Sequence, residues 1–190
     1  MAYRFFLPLG GDFLLTEKAI IMDENSMQRA ITRITYEILE RNKGANDICL
    51  VGILSRGRIL ADRIAKKIFE LEAISVDCGC LDVSNYRDDE KRTAVDDKSS
   101  INFDITNRCV IIVDDVIYTG RTARASLDAI IKRGRPKLIQ LAVLIDRGHR
   151  ELPIRPDYVG KNLPTSKDEL VRVKVREIDS LDKVAIVSNE

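Results

Sequence analysis

Val110-Ile111-Ile112-Val113-Asp114-Asp115-Val116-Ile117-Tyr118-Thr119-Gly120-Arg121-Thr122 is the stretch that decides the fold. Its first four residues are apolar and β-branched without a break, the pattern of a strand buried on both faces of a parallel sheet. Asp114 and Asp115 then fall at the carboxyl end of that strand, the end that lines the ligand crevice in open α/β sheets. Paired acids there can accept hydrogen bonds from the vicinal hydroxyls of a ribose and hold a hydrated magnesium ion. Thr119-Gly120-Arg121-Thr122 leads into a helical segment, whose unpaired backbone N–H groups and positive dipole end favour a phosphate. Gly120 permits close backbone approach, and the hydroxyls add donors. The stretch reads as a grip for a sugar diol and a phosphate. An Asp pair at a strand end also occurs in receiver domains and some NTPases. The chain holds neither G-x-x-x-x-G-K-S/T nor G-x-G-x-x-G, so nucleotide-hydrolase and dinucleotide readings lose support.

Outward from this stretch the same unit repeats. Ile48 to Leu54 predicts a second buried strand; Ser55-Arg56-Gly57 follows it, before a helix from about Arg58 to Leu71. Upstream, Ala19 to Met22 is a short apolar piece. Ser26 is a candidate cap for a helix to about Lys43, with Gly44 as its stop signal. Met27, Ala30, Ile31, Ile34 and Ile38 follow the helical period toward the core, which leaves Thr32, Arg33 and Tyr36 on the other side. Val76 to Val83 predicts a further strand, and the polar stretch from Asn85 to Arg108 a lid or disordered loop. A helix from about Thr122 to Lys132 is stopped by Gly134 and Pro136, and Leu138 to Ile145 is another apolar strand. Val171 to Ile178 alternates so strictly that a half-exposed strand is expected. Alternating β and α with late antiparallel additions is an α/β fold.

Composition bounds the rest. With 190 residues, 45% of them hydrophobic, the chain can bury one good core, so a single domain over residues 17–190 is expected, preceded by an N-terminal extension at 1–16. That extension is apolar, but Pro8, Gly10, Gly11 and Asp12 break the run before it could span a bilayer. No membrane role is expected. Thirty-one basic against thirty acidic residues do not advertise a nucleic-acid binder, so any such role must rest on local patches. The four cysteines lack zinc-site spacing and there is one histidine, which together suggest reduced core thiols in a cytoplasmic protein. Arg121 to Lys137 holds six basic residues and one acid; beyond its phosphate-facing start it reads as a solvated helix face.

The Asp pair with its hydroxyl loop resembles the signature of type I phosphoribosyltransferases, which use 5-phosphoribosyl-1-pyrophosphate (PRPP). From about Glu17 to Val187 the chain resembles, more narrowly, the bifunctional PyrR family, pyrimidine operon attenuators with uracil phosphoribosyltransferase activity. The matching blocks are T-R-I-T-Y-E-I-L-E-R-N-K-G at 32–44, V-G-I-L-S-R-G at 51–57, Y-R-D-D at 86–89 and V-D-D-V-I-Y-T-G-R-T at 113–122. The most specific is D-R-G-H-R-E-L-P-I-R-P-D-Y-V-G-K-N-L-P-T-S at 146–166. The resemblance implies a type I phosphoribosyltransferase fold: a central, mainly parallel sheet flanked by helices, with a small hood and a flexible lid loop.

It also implies roles. Asp114 and Asp115 would hold the ribose hydroxyls and Mg2+, with Val116, Ile117, Tyr118, Thr119, Gly120, Arg121 and Thr122 lining the nucleotide and the last four cradling its 5′-phosphate. Ser55 and Arg56 match the pyrophosphate loop, where members often hold a cis peptide. Arg56 would join Asp114 and Asp115 as catalytic. Uracil would sit under the hood against Arg147 and the backbone at Val171. Tyr86 and Arg87 would ride on the lid. Tyr118 stands where purine-using relatives commonly place an Asp, which favours a pyrimidine. The reaction implied is uracil plus PRPP giving UMP plus pyrophosphate. The residues matching recognition of pyrimidine operon leader mRNA, under control of UMP or UTP, are Thr32, Arg33, Tyr36, His149, Arg150, Arg155 and Lys161. Tyr36 replaces a His found in many members, which keeps open a salvage enzyme without RNA regulation. A homodimer or higher homo-oligomer is expected.

Overall fold

The computed structural model describes residues 15–86 and 96–189. In chain order the elements are β1 (Leu15–Met22), α1 (Glu24–Asn42), β2 (Ile48–Ile53), α2 (Arg56–Glu72), β3 (Asp77–Leu81), a 3-10 turn at Ser84–Tyr86, β4 (Cys109–Ile117) and α3 (Arg121–Arg133), then β5 (Leu138–Asp146), β6 (Tyr158–Asn162), β7 (Glu169–Lys174), α4 (Arg176–Asp179) and β8 (Lys183–Asn189). Five strands form one sheet in the order β3-β2-β4-β5-β6, and every pairing in it is parallel. The other three form an antiparallel hood, β1-β8-β7.

The unbroken apolar run in β4 is divided between two cores. Cys109, Ile111 and Val113 pack with Met27, Ile31, Ile34 and Ile38 of α1 and Leu60, Ile64 and Ile68 of α2. Val110 and Ile112 face the other way, onto Ala123, Ala125, Ala129 and Ile130 of α3. A strand whose alternate residues serve opposite faces needs apolar side chains at every position, which is why the run shows no alternation.

Several expected boundaries move. The cap of α1 is Asp23, whose carboxylate accepts from the Ser26 N–H at 2.8 Å; Ser26 lies inside the helix. Lys43, in the left-handed region at φ 57°, ends α1 one residue before Gly44. α2 starts at Arg56, so Arg56 and Gly57 belong to its first turn. β4 runs on to Ile117, so Asp114 and Asp115 lie within the strand rather than at its last residue. The expected strand at 171–178 stops at Lys174, and 176–179 is a helical turn, because Asp179 accepts from the Val175 N–H at 2.9 Å and closes the chain on itself. Of the expected lid, 87–95, with Arg87, lies outside the described residues; Ser100 already pairs with Cys80, and Ile105 is in the core. Residues 1–14 of the expected extension also lie outside them, whereas Leu15 and Thr16 are part of β1. No helix among the described residues is long and apolar enough to cross a membrane.

Candidate active site

β2 and β4 are neighbours in the sheet, so the loops that leave their carboxyl ends are neighbours too. The first loop leads into α2. Its Leu54–Ser55 peptide is cis, and Ser55, at the cap position of α2, makes no side-chain bond to the helix. The helix start is drawn close to β4: a Cβ on Gly57 would meet the Val113 carbonyl oxygen at 2.4 Å. Glycine is what allows the α2 N-terminus to lie against the strand that carries the acids. The second loop enters α3 through Gly120, at φ 94°, again with no side-chain cap. Two helix starts without side-chain caps therefore flank one acidic pair.

The acids are steered by the chain itself. Asp114 Oδ1 accepts from the Asp115 N–H at 2.9 Å, and Asp115 Oδ1 from the Val116 N–H at 2.8 Å. Burial pushes the Asp115 carboxyl above the usual range, against the lowering effect of these bonds and of the Arg56 guanidinium. In front of Asp114 opens a cleft of about 720 Å³ lined by Val116 to Thr122 and by Glu151. Such a volume holds a small ligand. Glu151 pairs with Arg121 at 2.7 Å, and the N–H groups of Glu151 and Leu152 donate to the Thr119 carbonyl. Nothing local in the sequence marks Glu151, whose partner is 30 residues away.

The segment after β5 wraps this loop. Arg147 is 5% exposed and its guanidinium lies 3.9 Å from the centre of the Tyr118 ring. It donates to Thr165 Oγ1 at 2.9 Å and to the carbonyls of Ser166 and Lys167. Val171 lies in β7, half-buried and paired with Ile186. Tyr86 is docked against α3, with Lys132 Nζ 4.7 Å from its ring centre.

The residues expected on RNA fall into two groups. Arg33 on α1 donates to the carbonyls of Val159 and Gly160 in β6, and Lys161 on the same strand reaches the Ile21 carbonyl at 3.5 Å. Thr32 and Tyr36, the latter 54% exposed, share a shallow hollow with Arg33. His149 contacts the Thr165 carbonyl at 2.6 Å through Nε2 and meets the Tyr118 ring edge-on. Arg150 has work inside the protein that its place in the matching block did not suggest. It pairs with Asp146 at 2.6 Å and donates to the carbonyls of Tyr118, Gly148 and Ile154. Arg155 is exposed.

Burial raises the Cys78 thiol to about 12, helped by Asp62, and that of Cys49 to about 11, so neither is a ready nucleophile. Among the described residues no group of three or more His, Cys, Asp or Glu side chains is placed to hold a metal ion. Asp114 and Asp115 offer hard oxygen donors of the kind magnesium takes when the rest of its shell is water and substrate phosphate.

The phosphoribosyl transferase domain family matches residues 19–177. Proteins named bifunctional protein PyrR from Clostridium kluyveri and Bacillus subtilis are 58% and 54% identical to the chain over 171 and 181 residues. The matches cover 89% and 93% of this chain and 97% and 100% of those proteins. Among solved structures, a hypoxanthine-guanine phosphoribosyltransferase from Bacillus anthracis superposes with a TM-score of 0.70 at 22% identity, covering 91% of this chain and 99% of that one. The hypoxanthine phosphoribosyltransferase of Trypanosoma cruzi gives 0.71 at 19% identity over 92% and 98%. At these identities the two structures speak for the fold alone, and that fold is the type I phosphoribosyltransferase one.

Proposed function

The chain belongs to the PyrR family of phosphoribosyltransferases, and on that premise we propose that it converts uracil and PRPP to UMP and pyrophosphate, and binds pyrimidine operon leader mRNA in response to UMP or UTP, as a homodimer or larger homo-oligomer. The observation that carries the catalytic half is the pair of helix starts without side-chain caps, at Ser55 and Gly120, on either side of Asp114 and Asp115. PRPP has the matching chemistry: a diphosphate at one end, a monophosphate at the other and a diol between them. Ser55 and Arg56 take the diphosphate, Thr119 to Thr122 take the 5′-phosphate through backbone N–H groups and hydroxyls, and the two acids accept from the ribose hydroxyls.

As pyrophosphate departs, positive charge grows on the anomeric carbon. The Asp114 and Asp115 carboxylates stabilise that charge while Arg56 offsets the negative charge of the leaving group. Asp114 and Asp115 would hold magnesium, which would supply further positive charge to offset that of the leaving group. No covalent nucleophile is needed. Tyr118, held by Arg147, supports a pyrimidine: no carboxylate stands at that point of the loop to serve a purine ring nitrogen. Uracil then meets Arg147 and the backbone at Val171, and Tyr86 and Arg87 belong to the lid that excludes water.

For RNA, the two groups around β6 and after β5 supply Arg and Lys for phosphates and Tyr36, His149 and Arg planes for stacking. The test is binding to the leader transcript with and without UMP, beside a uracil-plus-PRPP assay on the same preparation. RNA binding strengthened by UMP together with turnover is expected. Turnover without specific RNA binding would make this a uracil salvage enzyme, the reading that Tyr36, standing in place of a His found in many members, keeps open; absence of turnover would remove the catalytic assignment.

A further inference from the structure

Two arginines reach from α2 to the turn that closes the hood. Arg63 binds Glu177 and Asp182 with four contacts between 2.6 and 3.0 Å. Arg56 places Nη2 at 3.0 and 3.2 Å from the two carboxylate oxygens of Asp179. Asp179 is itself held, since its Oδ2 accepts from the Val175 N–H at 2.9 Å. The pair is shielded, with the Arg56 side chain 31% and the Asp179 side chain 19% exposed. Arg56 Nε, by contrast, is buried with no hydrogen-bond partner.

In a guanidinium, Nε–H and the inner Nη2–H point the same way and form the edge that takes an oxyanion with two parallel bonds. Asp179 engages Nη2 only, so that edge is half used. A buried donor without an acceptor is costly, and at a ligand site it marks where an acceptor arrives with the ligand.

We propose that Asp179 is a positioning residue for the diphosphate: it grips Arg56 from the hood and keeps Nε–H set for an oxygen of the diphosphate group. The inference rests on the phosphoribosyl-transfer reading and adds to it a carboxylate 123 positions along the chain from its partner. Asp179 offsets part of the Arg56 charge, yet a long side chain left loose must be ordered whenever the ligand binds. The ion pair orders it beforehand.

Asp179→Asn tests this, because the amide oxygen can still accept from the Val175 N–H while the ion pair is lost. The measurements are calorimetric binding of inorganic pyrophosphate with magnesium, binding of UMP, and steady-state kinetics with uracil and PRPP. Pyrophosphate affinity and kcat/KM for PRPP should each fall about tenfold, with UMP affinity and the KM for uracil unchanged. The double variant Arg56→Gln/Asp179→Asn should be no worse than Arg56→Gln alone, since Asp179 acts through Arg56. Unchanged or tighter pyrophosphate binding by Asp179→Asn, losses that add in the double variant, or an equal loss of UMP affinity would each overturn the assignment. A wild-type protein that binds pyrophosphate in an Asp179-dependent way but does not convert uracil would sink the uracil reading and leave this one standing.

Discussion

Asp115 works against the stability of the fold that presents it. Its carboxyl is raised by burial even though the Val116 N–H, Asp114 and Arg56 favour the charged form. A raised folded-state value means that the protonated form is the stabilising one. That contribution is complete below the unfolded-state value and is lost as pH rises through the folded one. Asp115→Asn should therefore be neutral or stabilising at pH 7, by up to about 1 kcal/mol. The gain should shrink in acid, and thermal unfolding at two pH values checks it. The same variant should lose at least about tenfold in turnover; a fully active variant would mean that the charge is not used. Arg150→Gln sits at the opposite pole. It breaks the ion pair with Asp146, which keeps its bond from the Gly148 N–H, and releases the Tyr118 carbonyl, so unfolding in urea should show a loss of about 2 kcal/mol, with weaker RNA binding following from a loosened 146–150 loop. A loss below about 0.5 kcal/mol would make those bonds incidental. Both residues stand in motifs legible in the sequence. Their partners do not, because a side chain's partner across the fold leaves no local pattern.

Among the elements, the start of α2 and the hood turn carry the most testable detail. Gly57→Ala puts a methyl group onto the Val113 carbonyl oxygen, where backbone and not a flexible side chain must yield. A loss of at least about 2 kcal/mol is expected, together with weaker pyrophosphate binding, since the same shift moves Ser55 and Arg56. An alanine variant with normal stability would show that α2 can pivot. The hood turn answers to acid. Glu177 is held below its ordinary value by Arg63; Asp182 is also lowered, its desolvation outweighed by Arg63 and the Arg176 N–H. Depressed carboxyls stabilise above their unfolded-state values, and that stability is lost as pH falls through the folded ones. The amides of 176–182 should therefore loosen below about pH 4, ahead of the core. NMR shifts would report this, and Arg63→Met should weaken the pH dependence, leaving the part that the Arg176 N–H sustains at Asp182. The expected strand at 171–178 failed at this turn. Alternation continues in the sequence, but a carboxylate three or four residues on can tie the backbone into a helical turn that periodicity does not register.

At the scale of the molecule, hood and sheet share a core. Met22, Val173, Val175 and Val184 of the hood region pack in the same cluster as Ile31, Ile64 and Ala142. From that shared core we propose that residues 17–190 unfold as one unit, in a single transition whose calorimetric and van't Hoff enthalpies agree. A separate low-temperature transition from the hood would contradict it. β7 and α4 come late in the chain, yet β7 touches β4 and Asp179 of α4 pairs with Arg56 of α2.

What the sequence by itself determined is the α/β class, the strand that carries the acids, the loop suited to phosphate and, through the matching blocks, the family. Each of these is written in contiguous residues, because strand burial, turn chemistry and helix starts depend on neighbours a few positions apart. Only the tertiary structure decided that the two helix starts flank one acidic pair, that Arg150 is tied into the protein, that Glu151 lines the cleft and pairs with Arg121, and that Asp179 holds Arg56. Those pairings span up to 123 residues. They exist only after the sheet has brought distant loops to one edge, and no local rule encodes which partner a charged side chain will meet there.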